Sequence, residues 1–170
     1  PVTVQSRLAA FDLLAGMPAV ACFGTAAALY GFDTERRDRL HVLDPGRRLR
    51  PTPEVMVHQR IGAPLRRVQG RLATAPASTA IEVARTLTRP RSLATLDAAL
   101  HCGACTASEL EAALAEQKGR RGIVHVREML AYADGRAESP MESEMRLVFL
   151  DWGVPKPELQ YEILDLHGDV

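Results

Sequence analysis

Residues 138–152, Glu-Ser-Pro-Met-Glu-Ser-Glu-Met-Arg-Leu-Val-Phe-Leu-Asp-Trp, carry the clearest structural signal in this chain of 170 residues. Ser139 is a suitable N-cap, Pro140 fits the first helical turn, and Glu142 stands at the N3 position of a capping box. The pattern predicts an amphipathic helix to about Trp152. Its predicted buried stripe consists of Met141, Met145, Val148, Phe149 and Trp152.

The segments on either side of this helix predict how it is connected. After it, Gly153-Val-Pro155 predicts a turn, and residues 158–164 predict a final strand. Before it, the polar link Gly135-Arg-Ala137 is the expected domain boundary. We therefore expect one domain over residues 1–136 and a second, partial one over residues 137–170.

The chain upstream of the boundary mixes both periodicities. Strands are predicted at 39–43 and 55–58, and a hairpin-like pair around Gly70. Helices are predicted from about Thr3, Thr25, Pro76, Leu93, Thr106 and Gly122. The predicted fold class is α+β, mostly helical, with a small antiparallel sheet in residues 38–75.

Composition limits the setting of the protein. Apolar residues make up 46% of the chain, enough for a core, and no run of 18 or more apolar residues is present, so we expect no membrane partner. No secretory signal pattern opens the chain. Three cysteines give no disulfide framework, which favours a reduced, cytoplasmic location.

Charge is divided unevenly although the net charge is zero. Residues 35–91 hold thirteen arginines and five acids, whereas residues 92–170 hold seven basic and fourteen acidic residues. This division indicates a nucleic-acid face, attraction between the two halves, or an oppositely charged partner. The basic part contains no Phe, Tyr or Trp, which favours phosphate contacts over base stacking.

The candidate nucleic-acid-binding residues are arginines that flank the first predicted strand and its following turn. They are Arg36, Arg37, Arg39, Arg47, Arg48 and Arg50. We expect most of them to lie near one another at the loop ends of the first two strands and to contact the backbone of double-stranded DNA. The alternative is a solvated, arginine-biased surface.

Metal and catalytic motifs are incomplete in this sequence. His101-Cys102-x-x-Cys105 supplies part of a zinc site, but zinc needs four ligands, so we predict no zinc and no metal site here. His41, His58 and His125 are interpreted as structural residues. The sequence contains no P-loop, Gly-x-Gly-x-x-Gly or Ser-His-Asp spacing, and no cofactor is expected for this chain.

Two parts of this chain resemble known protein families. Glu138-Ser-Pro-Met-Glu-Ser-x-x-Arg146 and Gly153-x-Pro-x-Pro-x-Leu-Gln160-Tyr-Glu-Ile resemble the entry to a domain related to the very-short-patch repair endonuclease, of the PD-(D/E)XK nuclease fold. Residues 25–31, 40–42 and 74–79 resemble the central, AbiEi-type antitoxin domain of the same actinobacterial proteins. Such antitoxins belong to type IV toxin–antitoxin systems.

The resemblance implies a function and its limits. It implies an AbiEi-like antitoxin or transcription-regulator core that acts through DNA and a cognate toxin or other protein, without catalysis. The alternative is a truncated endonuclease, whose full-length form would use Mg²⁺. Glu142 is the one catalytic residue carried over. The family's N-terminal winged helix and most of its nuclease domain are expected to be missing from this chain.

Overall fold

The computed structural model describes residues 2–35, 39–44, 46, 48–59 and 62–161. These contain seven helices and five strands. The helices are α1 (Val4–Ala15), α2 (Phe23–Tyr30), α3 (Pro76–Ala84), α4 (Arg89–His101), α5 (Ala107–Glu116), α6 (Ile123–Leu130) and α7 (Pro140–Asp151). The strands are β1 (Val20–Ala21), β2 (Leu40–Leu43), β3 (Val55–His58), β4 (Leu65–Val68) and β5 (Arg71–Thr74). The predicted α+β class is confirmed.

The sheet has the order β3-β2-β1-β5-β4 and is mixed. Strands β1 and β2 pair antiparallel, as do β4 and β5, whereas β2–β3 and β1–β5 are parallel. The prediction of an antiparallel sheet confined to residues 38–75 was therefore wrong in its pairing and its extent. The segment between β2 and β3 is long enough to return to the beginning of β2, so β3 runs parallel to it.

Local signals set the ends of the helices as the sequence predicts. Thr3 caps α1, and Gly16 ends that helix in the left-handed conformation, with a φ of 66°. Thr106 and Glu109 form both hydrogen bonds of a capping box at the start of α5. The hairpin around Gly70 is also confirmed, as β4 and β5.

The core consists of two clusters of buried residues. The larger cluster centres on α3, a helix whose residues are all buried among α2, α4 and α5. The smaller cluster joins α1 and α2 to the sheet, through Leu8, Leu29 and Val42. Helix α7 packs against α4, and its Leu147 belongs to the larger cluster. The division at residues 136 and 137 stays a prediction.

The end of the chain differs from its prediction. Residues 159 and 160 form a turn, residues 158 and 161 belong to no helix or strand, and residues 162–164 of the predicted strand lie outside the described residues. Gln160 has a left-handed φ of 55°, which breaks an extended strand at that position. In the part of the chain that the structure describes, no helix combines the length and the apolar character needed to cross a membrane.

Candidate functional site

The N-terminus of α7 holds Glu142 in a network of hydrogen bonds. Its backbone N–H donates to Ser139 Oγ at 3.2 Å, which is the predicted N-cap. Its carboxylate accepts from Ser139 Oγ at 3.0 Å, from the Glu138 N–H at 3.1 Å and from Gln160 Nε2 at 3.2 Å. Ser139 therefore caps α7, but the predicted capping box is incomplete, because the Glu142 carboxylate accepts from the Glu138 N–H and not from the Ser139 N–H. The carboxylate joins the residues before α7 to the segment that returns after it.

A buried ion pair joins α7 to α4. Arg146 donates to the Asp97 carboxylate and to the carbonyl oxygen of Tyr132, and the side chains of Arg146 and Asp97 are 0% and 1% exposed. The second Asp97 oxygen accepts from the Asp134 N–H at 2.7 Å. Burial raises the pKa of the Asp97 carboxyl, although its hydrogen-bond donors and the Arg146 charge pull the pKa down. We call these groups the α4–α7 clasp.

Ion pairs at the surface link the basic and acidic parts of the chain. Arg89 binds Glu128 at 2.6 Å and Asp151 at 3.0 Å, which ties α4 to α6 and α7. Arg91 binds Glu144 at 2.7 Å and also contacts Glu35. Two arginines of the basic part are therefore paired with acidic residues of the other half of the sequence. Exposed pairs of this kind stabilise a fold only weakly.

The sequence predicts that the apolar stripe of α7 is buried, but most of this stripe faces solvent. Trp152 is 81% exposed and Met141 is 68% exposed, and Met145 and Val148 are exposed beside them. The buried residues of α7 are Ser143, Arg146 and Leu147. Helical periodicity identifies an apolar face but not the face that packs. The face of α7 that packs against α4 is the one with the small Ser143 and with Arg146, whose partner Asp97 lies on α4. Phe149 lies between this face and the exposed one and is partly buried.

The exposed face of α7, formed by Met141, Met145, Val148 and Trp152, is a candidate protein-binding surface, called here the α7 face. These residues recur with helical spacing, so they form one contiguous strip along the helix. Methionine and tryptophan suit protein contacts, because methionine adapts its shape and tryptophan buries a large area.

The predicted DNA-binding arginines are only partly placed. Arg36, Arg37 and Arg47 lie outside the described residues. Arg39 stands at the beginning of β2, where its Nε donates to the carbonyl oxygen of Pro53 at 2.5 Å. The remaining two lie in the segment that joins β2 to β3.

Arg48 follows the end of β2, and its N–H donates to Asp44 Oδ2 at 3.1 Å. Arg50 lies farther along and lines a cavity of about 470 Å³ beside Leu40 and Val55, at the other end of these strands. The structure therefore brings Arg39 and Arg50 toward one end of β2 and leaves Arg48 at the other. Phosphate binding by this group stays a prediction.

The His101-Cys102-x-x-Cys105 motif does not form a cluster of free ligands. His101 Nδ1 contacts the carbonyl oxygen of Gly135 at 2.9 Å, and the Cys102 thiol donates to the carbonyl of Ala99 at 3.6 Å. Burial raises the pKa of the Cys105 thiol to about 12, which disfavours the thiolate that zinc requires. Among the residues that the structure describes, no group of three or more His, Cys, Asp or Glu could hold a metal ion.

Sequence reasoning missed two groupings. One is the clasp, because residues 49 positions apart carry no shared motif. The other is a pair of histidines, His41 and His58, whose ring nitrogens lie 2.9 Å apart although each looked like an isolated strand residue. The histidine pair could have been found only from the pairing of the two strands, because β2 and β3 are neighbours in the sheet.

A family model described as the AbiEi antitoxin C-terminal domain matches residues 19–132 of this chain, from β1 to the end of α6. The chain belongs to the AbiEi antitoxin C-terminal domain family. Helices α1 and α7 lie outside the matched residues, so the clasp attaches α7 to an AbiEi core.

Two uncharacterized proteins of Mycobacterium tuberculosis, from the strains CDC 1551/Oshkosh and ATCC 25618/H37Rv, are each 68% identical to this chain over 162 residues. The match covers 95% of this chain and 59% of each relative, so the chain spans little more than half of their length. No solved structure matches the chain significantly. The family connects the chain to toxin–antitoxin systems.

Proposed function

We propose that this chain is the non-catalytic core of an AbiEi-type antitoxin or transcription regulator, which acts through contacts with a cognate toxin and with double-stranded DNA. The observation that carries the proposal is the family match over residues 19–132. The α7 face supplies a surface for protein contact, because it presents apolar side chains that the core does not use. The predicted binding arginines supply the contacts with DNA phosphates.

DNA contact through these arginines would be sequence-blind. Backbone phosphates carry no base information, so binding should be micromolar or weaker at physiological salt, on the order of 10⁻⁴–10⁻⁶ M. Each phosphate contact that is lost should reduce the salt slope by roughly one unit.

The test is a titration of labelled duplex DNA at several salt concentrations. It compares the wild-type chain with a variant in which Arg36, Arg37, Arg47, Arg48 and Arg50 are changed to alanine. A variant with Arg120 and Arg121 changed to alanine is the matched control, because both are exposed arginines of another loop. Equal binding by wild type and the five-fold variant, or no binding at low salt, would remove DNA from the proposal.

A second candidate function is a metal-dependent DNA endonuclease, carried by a longer protein of which this chain is a part. The resemblance of residues 138–163 to the entry of the very-short-patch repair domain favours it. The residues described here do not supply its metal site: Glu142 is one carboxylate, and its oxygens already accept three hydrogen bonds. At least one further acidic ligand beside Glu142 would be needed to hold Mg²⁺.

A cleavage assay distinguishes the two candidate functions. We expect the purified chain to leave plasmid DNA intact with Mg²⁺ or Mn²⁺, since the Glu142 carboxylate is bonded to Ser139, Glu138 and Gln160. Glu142→Gln keeps a side chain of the same size and serves as the control for contaminating nuclease. Cleavage by the wild-type chain that Glu142→Gln abolishes would favour the endonuclease.

A further inference from the structure

The exposed side chains of α7 are spaced as in the seam of a two-helix coiled coil. The α7 face consists of Met141, Met145, Val148 and Trp152, which follow one another at intervals of four, three and four residues. An apolar strip with this spacing is narrow and follows the helix axis, which is the pattern that packs against one partner helix. At about 1.5 Å per residue the strip is about 16 Å long, or three turns of helix.

The helix surface beside this strip is acidic on both sides. Glu144 and Asp151 lie along one flank, and Glu142 lies on the other. The hydrogen bonds that the Glu142 carboxylate accepts come from neutral donors, so they leave its negative charge in place. In a pair of packed helices, side chains at these flanking positions meet the partner helix at the edge of the interface, and their charge selects the partner.

The basic groups around α7 do not neutralise these flanks. Arg89 and Arg91 each bind one acid of α7 and one acid of another segment, so two guanidinium groups face four carboxylates. Near the beginning of the helix, Arg136 and Lys156 both bind Asp134. When these groups are counted together with Glu142, acids outnumber basic groups, so the surroundings of the α7 face carry net negative charge.

This charge argues against a second copy of the chain as the occupant of the α7 face. An antiparallel pair of α7 helices, one from each of two copies, would bring Glu144 and Asp151 of one copy against the same acids of the other. Like charges at flanking positions oppose such pairing. A helix with Lys or Arg at its flanking positions has the complementary charge.

We propose that the α7 face binds an amphipathic helix of a partner protein, one with an apolar seam and with Lys or Arg on both flanks of that seam. The inference rests on the proposed function, in which this face contacts another protein, and it specifies the chemistry of that partner. The apolar seam supplies most of the affinity, and the acidic flanks exclude helices with acidic flanks. Because an interface of three helical turns is small, the expected Kd is on the order of 10 µM.

Trp152 provides the readout, because it is the single tryptophan of the chain and is 81% exposed. The probe is a synthetic helical peptide of about 28 residues, with Leu along the seam, Lys at the flanking positions and no tryptophan. A twin peptide with Glu at the flanking positions has the same seam and the opposite charge. Tryptophan emission and its quenching by acrylamide are measured during titration of the chain with each peptide.

We expect the Lys peptide to shift the emission of Trp152 to shorter wavelength and to reduce acrylamide quenching about threefold, since a tryptophan in the centre of an interface loses its contact with solvent. The Glu peptide should produce neither change. Raising the NaCl concentration from about 0.05 M to about 0.5 M should weaken binding of the Lys peptide at least about fivefold, because salt screens charges at the edge of an interface.

Two variants with matched controls assign the binding to the α7 face. Met145→Glu should weaken binding of the Lys peptide at least about tenfold, whereas Leu13→Glu, at a position on α1 that is 86% exposed, should leave it unchanged.

The second variant reverses the acidic flank. Glu144→Lys combined with Asp151→Lys should weaken the Lys peptide and allow the Glu peptide to bind. Glu111→Lys combined with Glu116→Lys makes the same change of net charge on α5, where both acids are exposed, and should leave the preference for the Lys peptide unchanged.

The wild-type titrations alone are decisive if a variant does not fold. No change in Trp152 emission up to about 1 mM Lys peptide would overturn the proposal, as would equal binding of the two peptides. Reversible dimers of the wild-type chain in analytical ultracentrifugation that Met145→Glu abolishes would also overturn it and would assign the α7 face to a second copy. Growth rescue from a toxin is measured separately, so binding of the Lys peptide without rescue would remove the toxin as the partner and leave the chemistry of the α7 face established.

Discussion

Replacing Arg146 by leucine tests the α4–α7 clasp, which fixes α7 to the AbiEi core. The change removes the positive partner of Asp97 at a place where both side chains are buried, with exposures of 0% and 1%. It also removes the hydrogen bond that Arg146 donates to the Tyr132 carbonyl. The leucine fills part of the vacated volume, so the main loss is electrostatic.

The magnitude follows from the burial of the pair. Stranding one member of a buried ion pair costs about 3–5 kcal/mol, and an orphaned carbonyl adds about 1 kcal/mol. Domains of this kind have about 5–15 kcal/mol of stability in total, so Arg146→Leu should bring the chain close to unfolding. Arg89→Leu is the matched control, because Arg89 also joins α4 to α7 but lies in an exposed pair worth at most about 1 kcal/mol.

The assay is urea unfolding of wild type and both variants, followed by circular dichroism. A second change, Asp97→Asn, in the Arg146→Leu background should recover part of the loss, because it removes the stranded charge and keeps an acceptor for the Asp134 N–H. The reasoning would be refuted if Arg146→Leu cost no more than Arg89→Leu, or if Asp97→Asn recovered nothing.

The pH dependence provides an independent check on the same pair. The pKa of Asp97 is raised in the folded state, so the folded chain binds that proton more tightly than the unfolded chain does. Its contribution to the free energy of unfolding is therefore largest at low pH and is lost as the pH rises through the folded pKa. Without Arg146 the pKa should rise further, so the deficit of Arg146→Leu should shrink as the pH falls. A deficit that does not change with pH would contradict this assignment.

Further predictions concern the backbone, the two faces of α7 and the cysteines. Gly122→Ala should cost at least about 2 kcal/mol more than Gly119→Ala, by urea unfolding. Both glycines have φ near 80°, but a Cβ at Gly122 would lie 2.2 Å from a backbone oxygen after α3. Leu147→Ala should cost about 2–5 kcal/mol and Met145→Ala under about 1 kcal/mol, because Leu147 is 2% exposed and Met145 is 50% exposed. Equal losses of stability in these two variants would contradict the assignment of Leu147 to the core and of Met145 to the exposed face of α7. Elemental analysis of the purified chain should show no stoichiometric zinc, and about one zinc that Cys102→Ser removes would contradict that expectation.

Local features of the fold could be predicted because they depend on neighbouring residues. Thr3, Thr106 and Ser139 cap their helices with a side-chain oxygen that accepts a hydrogen bond from the N–H three residues later. Such caps can be predicted because both partners lie close together in the sequence. The turn at Gly70 likewise needs glycine, where φ is 78°.

Features that depend on distant residues could not be predicted from one sequence. The parallel pairing of β2 and β3 follows from the path of the intervening segment, which a period-2 pattern does not encode. The choice of the buried face of α7 depends on Asp97, which lies 49 residues before its partner Arg146. The same limitation separated His41 from His58, since nothing in either strand alone indicates the other.

The central claim is that the chain works through contacts and without catalysis, and growth of cells that express a cognate toxin tests it most directly. Co-expression of the wild-type chain should restore growth, and Glu142→Gln should restore it equally, because that carboxylate only accepts hydrogen bonds from neighbouring segments. A double change of Met145 and Trp152 to glutamate, on the α7 face, should reduce the rescue without unfolding the chain. Failure of the wild-type chain to restore growth, or loss of rescue in Glu142→Gln with the fold intact, would contradict the account.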